Sequence, residues 1–197
     1  MFDDHQKTES LLELARLLTQ QNDYQESVHL VTLTASVLFD ADAASIMMIN
    51  PSTQKTIKTI FKGGKELGAE KYRFVQDVVI GWVMKHQQPF LSADLKTDER
   101  FSRDVFEDDV VLAIMCVPLQ IQRAALGYLL VISESRVGQF DERALKLLEH
   151  MAAVCAPFLG NVQQIQEYFN APLPEPVLSC PGHNRRRDCG SREPQLR

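Results

Sequence analysis

The sequence predicts an α+β fold, an antiparallel central sheet flanked by helices, with long helices at both ends of the folded part. Three observations predict it. The middle of the chain, from Ala44 to Ser133, is broken into apolar or alternating runs too short for helices. Turn residues join these runs in hairpin fashion. The two ends repeat apolar residues at helical spacing instead. Several runs are apolar at every position, which implies a sheet covered on both faces.

The elements follow in order. Leu11, Leu14, Ala15 and Leu18 mark a first helix, interrupted at Asn22-Asp23. Val28, Val31, Ala35 and Leu38 mark a second, which ends at Asp40-Ala41-Asp42. Ala44 to Ile49 is a buried strand, Pro51 to Gln54 a turn, and Thr56 to Phe61 its β-branched hairpin partner, closed by Gly63-Gly64. Tyr72 to Val75 alternates and reads as a third strand. Val79 to His86 reads as a short helix, Pro89 to Leu91 as an extended piece, and Asp94 to Arg103 as a polar segment with a small helix beyond Ser102. Leu112 to Leu119 and Ala125 to Ser133 are the last two strands. The final helix carries a stripe of Leu145, Leu148, Ala152, Cys155, Leu159, Val162 and Phe169, and Pro157 inside it is expected to kink or divide it.

Bulk properties limit the function. The chain has 197 residues, 45% hydrophobic and 24% charged, enough for one domain with its own core. A net charge of −5 offers no general attraction to nucleic acid or an anionic membrane. No run approaches the roughly 20 apolar residues of a membrane span, and the acidic, polar start lacks the pattern of a secretory signal, so a cytoplasmic location is expected. Cys116, Cys155, Cys180 and Cys189 are widely spaced and suggest no disulfide framework.

The chain changes character near Asn170. Residues 170–197 hold five of the nine prolines and no lysine. Their five arginines against three acidic residues give about +2, so the preceding part carries about −7. The organisation expected is an N-terminal helix over 1–21, a domain over 22–169 that includes a C-terminal signalling helix, and a disordered tail over 170–197. The tail also fits a truncation or frameshift that replaced an output domain.

Several segments together resemble a GAF domain. Ala41 to Ile46 is similar to that family's entry to the first strand, and Val79-Ile80-Gly81-Trp82-Val83 to its glycine-containing helix. Asp94, then Asp98-Glu99-Arg100-Phe101-Ser102, resembles its Asp-x-x-x-Asp-x-Arg-Phe stretch. Met115 to Leu119, Leu126 to Leu129 and Phe140-Asp141-Glu142 are similar to the last two strands and the start of the final helix. The resemblance runs from about residue 8 to 168. It implies a small-molecule pocket between one sheet face and the shorter helices. It also implies terminal helices that pair in a dimer and pass a signal to an output domain or partner protein.

Departures narrow this. Cyclic-nucleotide-binding members carry Asn-Lys ahead of the Phe and Asp-Glu; here Ser133-Glu134 stands there, and a change from Lys to an acid removes a structural ion pair. Bilin-binding members attach pigment through a cysteine in a polar loop, whereas Cys116 sits in an apolar strand. The branch that reduces free methionine sulfoxide uses cysteines near the Gly-Trp helix, and residues 76–109 contain none.

The ligand-binding candidates are Phe61, Phe74, Phe101 and Cys116 as apolar walls, with Asp94 and Arg100 as polar contacts. The plainer reading makes the first four core residues and pairs Arg100 with Asp94 or Asp98. Trp82 reads as core. Glu107-Asp108-Asp109 reads as a solvated face, and His86 and His150 as isolated. Cys180, His183 and Cys189 offer too few zinc ligands, and Arg185-Arg186-Arg187 a solvated run. No catalytic residue, metal site or cofactor is indicated. The function expected is a sensory, regulatory module that binds a small molecule and signals through its terminal helices as a homodimer. The alternatives are a ligand-free dimerisation or interaction module and, behind it, a small-molecule sulfoxide reductase. Neither membrane nor nucleic acid is an expected partner.

Overall fold

The computed structural model describes residues 4–49, 56–62, 71–102, 105–122 and 124–170, the side chains of 56–62 and 162–170 excepted. Two helices open it, α1 (Asp4–Leu18) and α2 (Tyr24–Leu38). Asp23 starts α2 by capping it, its carboxylate accepting the Glu26 N–H at 2.9 Å. Next come β1 (Ala43–Ile49) and β2 (Thr56–Lys62), then α3 (Arg73–His86) and β3 (Phe90–Ser92). A single 3₁₀ turn (Leu95–Thr97) precedes the hairpin β4 (Ala113–Ile121) and β5 (Ala124–Ser133), and α4 (Glu142–Asn170) follows.

The five strands form one sheet in the order β2-β1-β5-β4-β3, with every pairing antiparallel. All seven residues of β1 are buried, as a strand in the middle layer requires. Its side chains alternate between two cores. Ala44, Ile46 and Met48 meet Leu14, Leu18, Val28, Val31 and the buried stripe of α4 on one face. Ala43, Met47 and Ile49 meet Val75, Val79, Val83 and Phe106 on the other. The fold is therefore α+β in three layers: α1, α2 and α4, the sheet, then α3 with its following loop. Burying Leu14 and Leu18 each contributes about 2 kcal/mol, which is why α1 spends its Leu11/Leu14/Leu18 stripe inside this chain.

The segment Tyr72 to Val75 is not a strand. Four alternating residues do not fix a period, and Val75, Val79 and Val83 complete a helical stripe that carries α3 back to Arg73. The 3₁₀ turn at Leu95–Thr97 is a further element that the polar composition hid. Pro157 does not divide α4. It lies on the exposed side, and Leu148, Met151, Ala152, Cys155, Ala156 and Leu159 hold both halves to the sheet. The turn at 51–54, Gly63-Gly64, part of the segment beyond Ser102 and the tail from 171 lie outside the described residues. Among the described residues no helix is long and apolar enough to cross a membrane.

Glycines report how tightly the layers meet. A Cβ at Gly127 would lie 2.4 Å from the Met47 carbonyl oxygen and 3.1 Å from Met48 Cα, both fixed by the ladder. One at Gly81 would meet nothing within 4 Å. Gly127→Ala is expected to destabilise the fold by on the order of 3 kcal/mol, while Gly81→Ala stabilises it by about 1 kcal/mol. Urea unfolding of the two variants checks both signs.

Candidate functional site

Helix α3 carries two stripes. Val75, Gln76, Val79, Ile80 and Val83 are buried toward the sheet, where the Gln76 Nε2 donates to Ser45 Oγ at 2.6 Å. The second stripe, Val78, Gly81, Trp82, Lys85 and His86, follows the same 3–4 residue spacing one step round the helix. It faces Arg100 and Phe101, and together these residues line a groove of about 530 Å³.

Arg100 is held in place from several sides. Its guanidinium donates to both carboxylate oxygens of Asp98 and to the Leu91 carbonyl, and its backbone N–H donates to Asp98 at 3.1 Å. Its cation sits 3.9 Å from the centre of the Phe90 ring and 5.3 Å from that of Trp82. Burial by itself would raise the Asp98 pKa, but the donors from Arg100 and Ser92 outweigh it and hold that carboxyl below its ordinary range. Trp82 stacks on His86, with ring centres 4.2 Å apart and planes 28° apart. His86 Nδ1 lies 2.8 Å from the Trp82 carbonyl, and because a carbonyl only accepts, Nδ1 carries the proton.

The sequence-predicted residues do not converge on one cavity. Arg100 and Phe101 share the groove, and Phe101 packs on Phe90 and Phe106. Phe74 is 53% exposed, touching this aromatic cluster only through Phe106 at 6.1 Å. Cys116 is fully buried in β4 opposite Phe90, and burial pushes its thiol pKa far up. Asp94 caps the 3₁₀ turn by accepting the Lys96 N–H at 3.1 Å. It is Asp98, not Asp94, that pairs with Arg100. The Phe61 side chain lies outside the described residues, as do Cys180, His183 and Cys189. Glu107 and Asp108 are exposed, Asp109 accepts the Val111 N–H, and among the described residues no group of acids, histidines and cysteines is placed to hold a metal. Trp82, which the sequence reads as core, is partly buried and packs on that core through Phe90, with ring centres 5.2 Å apart, while its outer side lines the groove with Lys85 and His86. The signal for them is the second stripe starting at Val78, which the stronger buried stripe masks.

A second cluster joins the layers at one end of the sheet. The Asp42 carboxylate, in the α2–β1 turn, accepts the backbone N–H groups of Glu134 and Ser135 at 2.7 and 3.0 Å and the Ser135 hydroxyl at 2.8 Å. Glu134 receives the Tyr72 hydroxyl at the start of α3 and pairs with Lys71 at 2.5 Å. The acid at this position makes an ion pair of its own, with Lys71. Gln139, ahead of α4, donates to the Phe39 and Asp40 carbonyls at the end of α2 and accepts from Ser133 at 3.0 Å. Asp141 starts α4 by accepting the Ala144 N–H at 2.8 Å. Burial acts to raise the Asp42 pKa, but its donors, the Glu134 N–H foremost, outweigh it and lower it.

The sequence profile of the GAF domain family matches residues 23–157. Solved structures share the fold at low sequence identity. The GAF domain of an Acinetobacter phosphoenolpyruvate-protein phosphotransferase is 15% identical and superposes with a TM-score of 0.64, over 83% of this chain and 98% of that one. The free methionine-R-sulfoxide reductase of Neisseria meningitidis, solved with its substrate, is 14% identical with a TM-score of 0.64, over 84% and 95%. The GAF domain of a putative sensor histidine kinase from Pseudomonas syringae pv. tomato is 12% identical with a TM-score of 0.57, over 83% and 91%. No curated protein sequence matches the chain.

The Asp42 cluster makes a signed prediction. A carboxyl whose pKa is lowered by folding contributes stability that is complete above its unfolded value and is lost as pH falls through the folded one. Asp42→Asn is expected to destabilise the fold by about 1 kcal/mol at pH 7, a figure discounted for partial solvent exposure. The gap to wild type should narrow on acidification below about pH 4. Urea unfolding of both proteins across that range checks it.

Proposed function

The chain belongs to the GAF domain family, and on that premise we propose that it is a sensory and regulatory module rather than an enzyme. In this reading a small molecule on the α3 side of the sheet changes the packing of the terminal helices. The change passes to a second copy and to an output domain or partner protein, and the setting is cytoplasmic. The observation that carries the reading is the cluster around Asp42 and Glu134. It ties the start of α3 to the end of β5, to the end of α2 and to the segment leading into α4. A displacement of α3 therefore has a hydrogen-bonded route to α2 and α4, two of the three helices of the opposite layer.

The two described thiols argue against the sulfoxide-reducing alternative. Cys116 and Cys155 belong to separate cores on opposite faces of the sheet. Both are buried, which pushes their pKa values up, that of Cys155 to about 12. Neither supplies an accessible thiolate, and the sheet stands between them as attacking and resolving pair. The domain of similar fold in the sensor histidine kinase keeps the company this reading requires.

A ligand-free interaction module is the second reading. Phe90, Leu95, Phe106 and Cys116 fill the space between α3 and the sheet at 2% exposure or less. Meanwhile Leu12 and Val37 are exposed on the helical layer, at 67% and 54%.

Native mass spectrometry of the purified chain, compared with its denatured mass, separates these readings. The expected result is a dimer carrying a small-molecule mass that is lost on denaturation. A dimer without added mass supports the interaction module, and an empty monomer overturns both. Turnover of free methionine sulfoxide under thiol reductant, expected to be undetectable, would overturn the non-enzymatic assignment.

A further inference from the structure

We infer that the groove between α3 and the Arg100-Phe101 segment is a binding site for a planar aromatic anion, such as an aromatic carboxylate. This inference rests on the sensory reading and specifies where and what the module binds. The space implied by the family resemblance, between α3 and the sheet, is occupied by the chain's own side chains. The open volume lies instead on the outer flank of α3, where the second stripe faces the loop. Gly81 keeps that volume open, since even a methyl group there meets nothing within 4 Å.

The lining specifies the ligand chemistry. The walls are aromatic: Trp82, stacked with His86, and Phe101, backed by Phe90 and Phe106. A flat ring gains stacking and apolar contact against such surfaces. The polar tips are Lys85, His86 and Arg100, and among the described residues no acidic side chain lines the groove. Asp98 neutralises part of Arg100 but is itself covered: its side chain is 7% exposed against 33% for Arg100, so an incoming group meets the guanidinium and not the carboxylate. Asp98 and the Leu91 carbonyl also fix the guanidinium before binding, which removes an ordering cost from the complex. Lys85, in the last turn of α3, supplies a second, mobile cation. Two cationic groups above aromatic walls select an anion carried on a flat ring over a neutral or cationic one.

Trp82 is the chain's only tryptophan, so its indole N–H gives one assignable NMR signal that reports on the groove directly. The full chain would be titrated with 2-naphthoate and, separately, with its neutral counterpart 2-naphthamide. The expected result is a saturable shift of the indole signal by 2-naphthoate, with 2-naphthamide binding about tenfold more weakly. Lys85→Gln, an exposed change, should weaken 2-naphthoate about fivefold and leave 2-naphthamide unchanged. Gly81→Leu, whose Cβ would start in open space on the groove side of α3, should abolish the shift by both. An unmoved signal, equal affinity for the two probes, or an intact response in Gly81→Leu overturns the proposal. Retention by Gly81→Leu of a ligand mass seen in wild-type native spectra overturns the groove while leaving the sensory reading standing, so the two failures are distinguishable.

Discussion

β1 has no face turned to water. From Ala43 to Ile49 its side chains pass alternately into two separate cores, and its neighbour β5 is buried along all but its first residues. A sheet of this kind cannot exist without a layer on each side, because either bare face would expose a continuous apolar surface. The close approach of Gly127 to the Met47 carbonyl sets how tightly the central pair sits. The groove and the contacts between layers follow from how unequally the two faces are covered.

One face receives three helices and the other receives α3 with a loop. The heavier layer consumes the apolar stripes of α1, α2 and α4. The lighter layer rests on Val75, Val79 and Val83, one buried polar contact from Gln76 to Ser45, and the aromatic cluster around Phe90. A 14-residue helix covering a sheet alone cannot bury its whole circumference. The stripe from Val78 to His86 is what remains, and the Arg100-Phe101 segment only partly covers it. The groove thus follows from the same geometry that closes the core.

The layers communicate at the end of the sheet where chain segments pass from one to the other. Asp42 and Gln139 satisfy the turns between layers, and Glu134 reaches across to Lys71 and Tyr72. Such exposed and half-exposed bonds contribute modestly to stability one by one. Their placement matters more than their strength, since they join α3 to α2 and to the start of α4 without passing through the packed interior. Of the described cysteines, Cys116 and Cys155 lie in different cores with the sheet between them.

Much of this was legible in the residues themselves. Unbroken apolar runs such as Ala44 to Ile49 state that both faces of a strand are buried, and helical stripes such as Leu145/Leu148/Ala152/Cys155/Leu159 state which face of a helix is spent. These periodicities, with the order of the GAF-like segments, determined the fold class. They failed at Tyr72 to Val75, where four residues are too few to distinguish a period of 2 from one of 3.6. They also could not show that Trp82, packed on the core by one side, lines a groove with the other. Only the tertiary structure decided that Arg100 pairs with Asp98 over Phe90, that Glu134 pairs with Lys71, and that Cys116 lies sealed behind an aromatic cluster. Those facts join residues distant along the chain, and local pattern records the faces of single elements, not which elements meet.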